Sequence, residues 1–275
     1  MGKSTAVYRA KTYQCGEYLD FYGYQVFQVP PSCRSGRRVR RKPTRKMQEK
    51  LNWRHAAEKL TRILNTNFTE EDLSLTLTFR DNPIDDEAAK KAIQKFLRKI
   101  RYRFKKLERE LKYVWQLEKS KKGRYHTHMV LTGGIDRDEL EKLWGHGYAN
   151  SKRLQFDQHG LAALSRYIGK SCVDSEEERV TYRSYNGSKN LIDPEPEYND
   201  SKIRSRKRAQ ELADMDWNLW HELYPDYEVV DLYSYISEDY GGIYIFARLH
   251  RIDCKRIPPK NAAKRSPRKA RQKVQ

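Results

Sequence analysis

The sequence predicts an α+β fold: one antiparallel sheet of split-βαβ type, with basic extensions at both ends. Three observations carry this. "LSLTLTF" (73–79) alternates with period two and is rich in β-formers, as a half-buried strand is. Ile93, Phe96, Leu97, Ile100, Phe104 and Leu107 then recur at helical spacing. "LKYVWQLE" (111–118) and "YHTHMVLTG" (125–133) follow as two strands, joined by polar "KSKKGR" with Gly123 suited to a hairpin.

Residues 6–28, "AVYRAKTYQCGEYLDFYGYQVFQ", are tyrosine-rich and β-like, and Gly16 offers a turn. Seven of the ten residues from Arg37 to Lys46 are Lys or Arg, which predicts a basic arm. Residues 47–66 read as an amphipathic helix. After strand 73–79, Asp81–Asn82–Pro83 breaks the pattern. Asp85 can cap the next helix, whose first turn carries Asp86 and Glu87, favourable for its dipole. Asp136 to Trp144 is a short helix, "GYANSKRLQ" (147–155) a fourth strand, and "GLAALSRYIGKSC" (160–172) a further helix. From residue 73 the order is β-α-β-β-α-β-α, a ferredoxin-like, RRM-like arrangement with one helix appended. Beyond it, "SRKRAQELADMDWNLWHELY" reads as one helix, and 233–251 as a hairpin around Gly241–Gly242.

The expected organisation is therefore an N-terminal segment (1–69), a sheet domain (70–195), a C-terminal helix and hairpin (196–254), and a basic tail (255–275). The tail has nine Lys or Arg, no acid and three prolines, a composition that predicts disorder. The tyrosine-rich N-terminus and the C-terminal hairpin are expected to pack together, since neither has an obvious core alone.

Composition narrows the function classes. The net charge is +19 over 275 residues, a field that attracts polyanions, nucleic acid first among them. No apolar run is long enough for a transmembrane helix, and the N-terminus lacks a signal-peptide core, so no membrane partner and a cytoplasmic location are expected. The four cysteines are far apart and form no C-x-x-C pair, which argues against a zinc ribbon or redox motif. No G-x-x-x-x-G-K-[ST] loop is present, so no attached ATPase is expected.

The chemistry-bearing residues lie on the central strands. Residues two apart on a strand share a face, so His126 and His128 project together. If the hairpin pairs Glu118 with His126 and Gln116 with His128, Glu118 joins that face; a slip of one residue would remove it. Two histidines and a carboxylate form a plausible first shell for Mg²⁺ or Mn²⁺, although non-haem iron uses the same donor set. Forty residues on, Tyr167 and Lys170 are three apart on a predicted helix and share a side of it. A phenol is a weak nucleophile until its ionised form is made accessible by a nearby cation or metal-bound phosphate.

A strand "LTLTF", then "HTHMVL", then a helix with "YIGK" resembles the three ordered motifs of the HUH endonucleases. The branch it is most similar to is the rolling-circle replication initiators of small phages and plasmids. The resemblance covers roughly residues 70–195, and "RSYNGSKNL" (183–191) also looks like a segment found in such relatives. Thr127 stands where a bulkier apolar residue is commoner. The resemblance implies His126, His128 and Glu118 as metal ligands, Mg²⁺ or Mn²⁺ as cofactor, Tyr167 as nucleophile, and Lys170 as a cation near the scissile phosphate. It further implies nicking and joining of single-stranded or hairpin DNA at a replication origin, in a bacterial host cell. With one tyrosine in the motif, a second copy of the chain, or another residue, is expected to complete the cycle, with a host helicase and polymerase. Arg37, Arg38, Arg40, Arg41, Lys42, Arg45 and Lys46 are then expected to contact phosphates. A transposase or plasmid relaxase of the same group is the alternative, although a relaxase would show a three-histidine cluster and an N-terminal tyrosine. The alternative of another class is a non-catalytic nucleic-acid-binding module, since the same sheet serves RNA recognition through stacked aromatics. Here that face offers histidines instead.

Overall fold

The computed structural model describes residues 5–28, 45–168, 178–179, 185–236 and 241–252. Arg37, Arg38, Arg40, Arg41 and Lys42 of the basic arm, Lys170, and the tail from 255 lie outside the described residues. Arg45 and Lys46 are described in their backbone only, at the start of a helix.

Strands β1 (Thr5–Cys15) and β2 (Tyr18–Gln28) form the expected hairpin, turned at Gly16, whose φ of 66° suits a residue without Cβ. Helix α1 (Arg45–Asn67) follows. Next come β3 (Leu73–Thr78), α2 (Asp86–Lys106), β4 (Tyr113–Lys119), β5 (Tyr125–Leu131), α3 (Arg137–Trp144), β6 (Ala149–Arg153) and α4 (Ala162–Ile168), in the order expected from the sequence. Asp85 caps α2, accepting from Ala88 N at 2.7 Å. Three short strands follow: β7 (Glu178–Arg179), β8 (Asn186–Gly187) and β9 (Glu197–Asn199). The last described elements are α5 (Arg206–Ala213), α6 (Trp217–Leu223), β10 (Tyr227–Ile236) and β11 (Ile243–Arg251).

One expectation is corrected here. Residues 205–224 form two helices rather than one. Met215 takes a φ of 64°, which breaks the helical path, and Asp216 then caps α6 by accepting from Asn218 N and Leu219 N.

The chain divides into two compact units, residues 34–191 and residues 1–33 with 192–275. The 34–191 unit holds an antiparallel sheet in the order β6-β3-β5-β4-β7, with β8 also on β4. Its four motif strands thus run 4-1-3-2, as a ferredoxin-like fold requires. The sheet is covered on both faces. Leu75, Leu77, Trp115 and Met129 meet Ile93, Phe96 and Ile100 of α2 and Trp144 of α3. On the other face, Val114 and Val130 meet Leu60 and Leu64 of α1 and Ile168 of α4. Each such fully buried aliphatic or aromatic side chain stabilises by about 1.5–3 kcal/mol. Helix α1, grouped by sequence with the N-terminal segment, belongs to this unit and packs on α4.

The other unit is a five-stranded antiparallel sheet in the order β10-β11-β2-β1-β9. β2 pairs with β11, so the two chain-distant hairpins share one sheet. Helices α5 and α6 cover one face, where Leu212, Trp220 and Tyr224 pack on Phe21, Ile245 and Leu249. No described helix is long and apolar enough to cross a membrane.

Candidate metal centre and nucleophile

The site begins with a tight hairpin. Gly123 has a φ of 73° and donates to Ser120 O at 2.8 Å, which closes the β4–β5 turn. The loop before α2 pins the same end: Asn82 accepts from Tyr125 N and donates to Gly123 O, at 3.0 and 2.9 Å. Tyr125 OH donates to Asp86 at 2.6 Å, and burial pushes this phenol above its ordinary range, with the Asp86 hydrogen bond adding to the effect. These contacts fix the register. Glu118 pairs with His126 and Gln116 with His128, the pairing that keeps all three candidate ligands on one face.

Their geometry follows. Glu118 Oε2 lies 3.4 Å from His126 Nε2 and 3.6 Å from His128 Nε2. One ligand atom from each of the three residues lies within 4.8 Å of the others. Glu118 and His128 are buried, at 2% and 4% exposed, and His126 is partly open. A buried carboxylate needs a cationic partner, because desolvation disfavours its charge. Two imidazole nitrogens and a carboxylate oxygen converging in this way suit one divalent cation, so the residues present fit such an ion.

A neighbouring side chain orients one candidate ligand. Thr76 on β3 is the register partner of His128, and its Oγ1 lies 3.4 Å from His128 Nδ1. With Nδ1 occupied by the hydroxyl, Nε2 is left toward Glu118 and the candidate ion position. This is the second-layer contact that metal-ligating histidines commonly have. Sequence reading did not single out Thr76. Its parity on β3 placed it on the correct face, but its partner depended on pairing two strands far apart in the chain.

Tyr167 reaches the same place from α4. Its ring centroid lies 4.5 Å from that of His128, at an interplanar angle of 63°. It is 42% exposed, so its hydroxyl-bearing ring remains accessible. α1 holds α4 in position. Asn65 Oδ1 accepts from Leu161 N at 2.9 Å, just before the first turn of α4. The buried hydroxyls of Thr61 and Ser165 hydrogen-bond to each other, joining the two helices. Gly160 has a φ of 68°, and a Cβ there would come within 2.5 Å of the Asn65 side chain. Asn65 and Thr61 were not identified from the sequence, where both read as ordinary polar positions of an amphipathic helix.

The structure therefore brings Glu118, His126, His128 and Tyr167 together on one face of the sheet. Lys170 and the arm residues Arg37 to Lys42 lie outside the described residues, and the side chains of Arg45 and Lys46 likewise.

Fold and site together define a ferredoxin-like sheet with a carboxylate–histidine–histidine group that could hold a cation, beside a tyrosine. Residues 72–172 match the model of a family described as Replication-associated protein ORF2/G2P. The match is to less than half of the chain and runs from the start of β3 past Tyr167, so this stretch is similar to replication-associated proteins and supports a role in DNA replication. No curated protein and no solved structure matches.

Proposed function

We propose that this chain nicks and rejoins single-stranded DNA at a replication origin, through a covalent tyrosine intermediate, and so initiates rolling-circle replication. The observation that carries the reading is the contact of Tyr167 with His128 beside the Glu118–His126–His128 group. The match to replication-associated proteins and the net charge of +19 support it.

Glu118, His126 and His128 would hold Mg²⁺ or Mn²⁺, which when bound supplies positive charge to a phosphate oxygen. Tyr167 Oη attacks phosphorus, and its proton passes through solvent to the departing 3′ oxygen. The phosphorus–oxygen bond to the 3′ side breaks, leaving a free 3′-OH and a 5′-phosphotyrosine. A phosphodiester bond is replaced by another phosphodiester, so a 3′-OH can attack the adduct and reseal the strand. No nucleotide cofactor enters the balance. Lys170, three residues after Tyr167, is the proposed cation beside the scissile phosphate. The 3′-OH would serve a host polymerase, with unwinding by a host helicase, and a second copy of the chain would supply a second tyrosine.

The test is cleavage of 5′- and 3′-labelled single-stranded origin DNA with Mn²⁺ or Mg²⁺. A covalent protein–DNA adduct is expected, and Tyr167→Phe should remove it while leaving salt-sensitive binding. An adduct that persists in Tyr167→Phe would show the nucleophile to be another group. His126→Ala with His128→Ala should abolish divalent-dependent cleavage with the fold retained by circular dichroism.

A further inference from the structure

The tyrosine-rich N-terminal hairpin has no part in the reaction described above. Its sheet, however, has two unlike faces. One is covered by α5 and α6. The other carries a row of directly opposed residues across all five strands: Tyr198 on β9, Lys11 on β1, Tyr22 on β2, Phe246 on β11 and Tyr233 on β10. Opposed residues on neighbouring antiparallel strands share a face. Phe246 is buried, at 4% exposed, so the accessible stretch is Tyr198, Lys11 and Tyr22, two inter-strand steps of about 4.8 Å or roughly 10 Å.

Charge is distributed unevenly along it. Arg248 is neutralised by a buried two-point pair with Asp20, at 2.7 and 3.0 Å. Arg9 is likewise held by Asp200, at 2.6 and 2.7 Å. Lys11 has no ion pair among the described residues. Its ammonium sits over the rings of Tyr13, Tyr22 and Tyr198, at 4.8, 5.8 and 5.9 Å. Tyr198 is 57% exposed and Lys11 and Tyr22 are partly so, so tyrosine ring surface is accessible next to this cation.

We infer that this face is an auxiliary binding site for single-stranded DNA, with bases stacking on the tyrosine rings and a backbone phosphate on Lys11. Aromatic rings with an interleaved cation are what such a strand needs, since every base has a π-face and every link a charge. A second copy of the chain suits the face less well. A two-fold contact centred here would bring Lys11 against Lys11, between chains of net charge +19. The choice of DNA rather than RNA rests on the proposed function; the stacking surface does not.

The experiment uses the full chain in EDTA, so that no cleavage occurs, with fluorescent oligo(dT) as the probe. Tyr198→Ala should weaken binding roughly tenfold, the effect of losing one base stack. Lys11→Gln should weaken it and reduce the salt dependence of log K by about 0.7, one phosphate contact on a single strand. Tyr198 is exposed, so its replacement tests the face without risk to the core. Unchanged affinity in both variants would overturn the proposal. So would tighter binding of oligo(U) than oligo(dT), or a change from dimer to monomer in sedimentation with DNA affinity intact. Tyr167→Phe separates the two readings: loss of the adduct reports on the reaction, and the binding curves report on this face.

Discussion

At the scale of single residues, the most informative side chain beyond the candidate ligands is Thr76. Its hydroxyl lies against His128 Nδ1, which leaves Nε2 on the side of Glu118. Thr76→Val keeps the volume and the strand propensity but removes that partner. Mn²⁺ affinity should then fall roughly 10- to 100-fold, as second-layer changes at metal-bound histidines do. Titration of the full chain with Mn²⁺ measures this, and an unaltered thermal midpoint would show that the loss is local. The grouping of the three candidate ligands was legible because it rests on local rules. Strand parity placed His126 with His128, and one hairpin with Gly123 set the register of Glu118. Thr76 was not legible, because the ferredoxin-like order puts β3 beside β5 but leaves the register of that chain-distant pair unspecified.

At the scale of elements, α1 is the support on which α4 rests. Asn65 accepts from a backbone N–H at the start of α4, and Asn65→Ala would leave that buried donor unpaired. The expected cost is about 1–3 kcal/mol, measurable by urea denaturation. Adduct formation by Tyr167 should slow while Mn²⁺ affinity is kept, because the ligands sit on the sheet and not on the helix. The main elements could be read from period and capping: α2 begins after Asp85, and α3 after Asp136, as their side chains dictate. The division of α5 from α6 was not legible. The 205–224 stretch keeps helical spacing throughout, and only the left-handed turn at Met215 separates its two halves. The strands β7, β8 and β9, two or three residues each, are too short to show a period.

At the scale of the whole molecule, alkaline pH should be a specific weakness. Burial pushes the Tyr224 phenol above its ordinary range, with the charge of Glu197 adding to the effect. Below about pH 10 the phenol is neutral in both folded and unfolded chains, and its contribution to stability is fully present. Above that, the unfolded chain ionises first, and the contribution is lost as pH rises toward the folded value. Tyr224 OH has no hydrogen-bond partner among the described residues, so Tyr224→Phe should cost little at pH 7 and flatten the fall in stability between pH 10 and 12. Chemical denaturation at a series of pH values would show it.

The joining of β2 to β11 has a consequence for how the chain is made. The pair Asp20–Arg248 spans 228 positions of sequence. A ribosome delivers residues in order, so the first hairpin emerges long before its partner strand exists. The 34–191 unit, continuous in the chain, can close around its own core in the meantime. The edge of β2 stays without β11 until Ile243–Arg251 has been translated. Premature termination inside β10 or β11 would thus release a chain with the Glu118–His126–His128 group formed and a tyrosine-rich strand edge open to self-association.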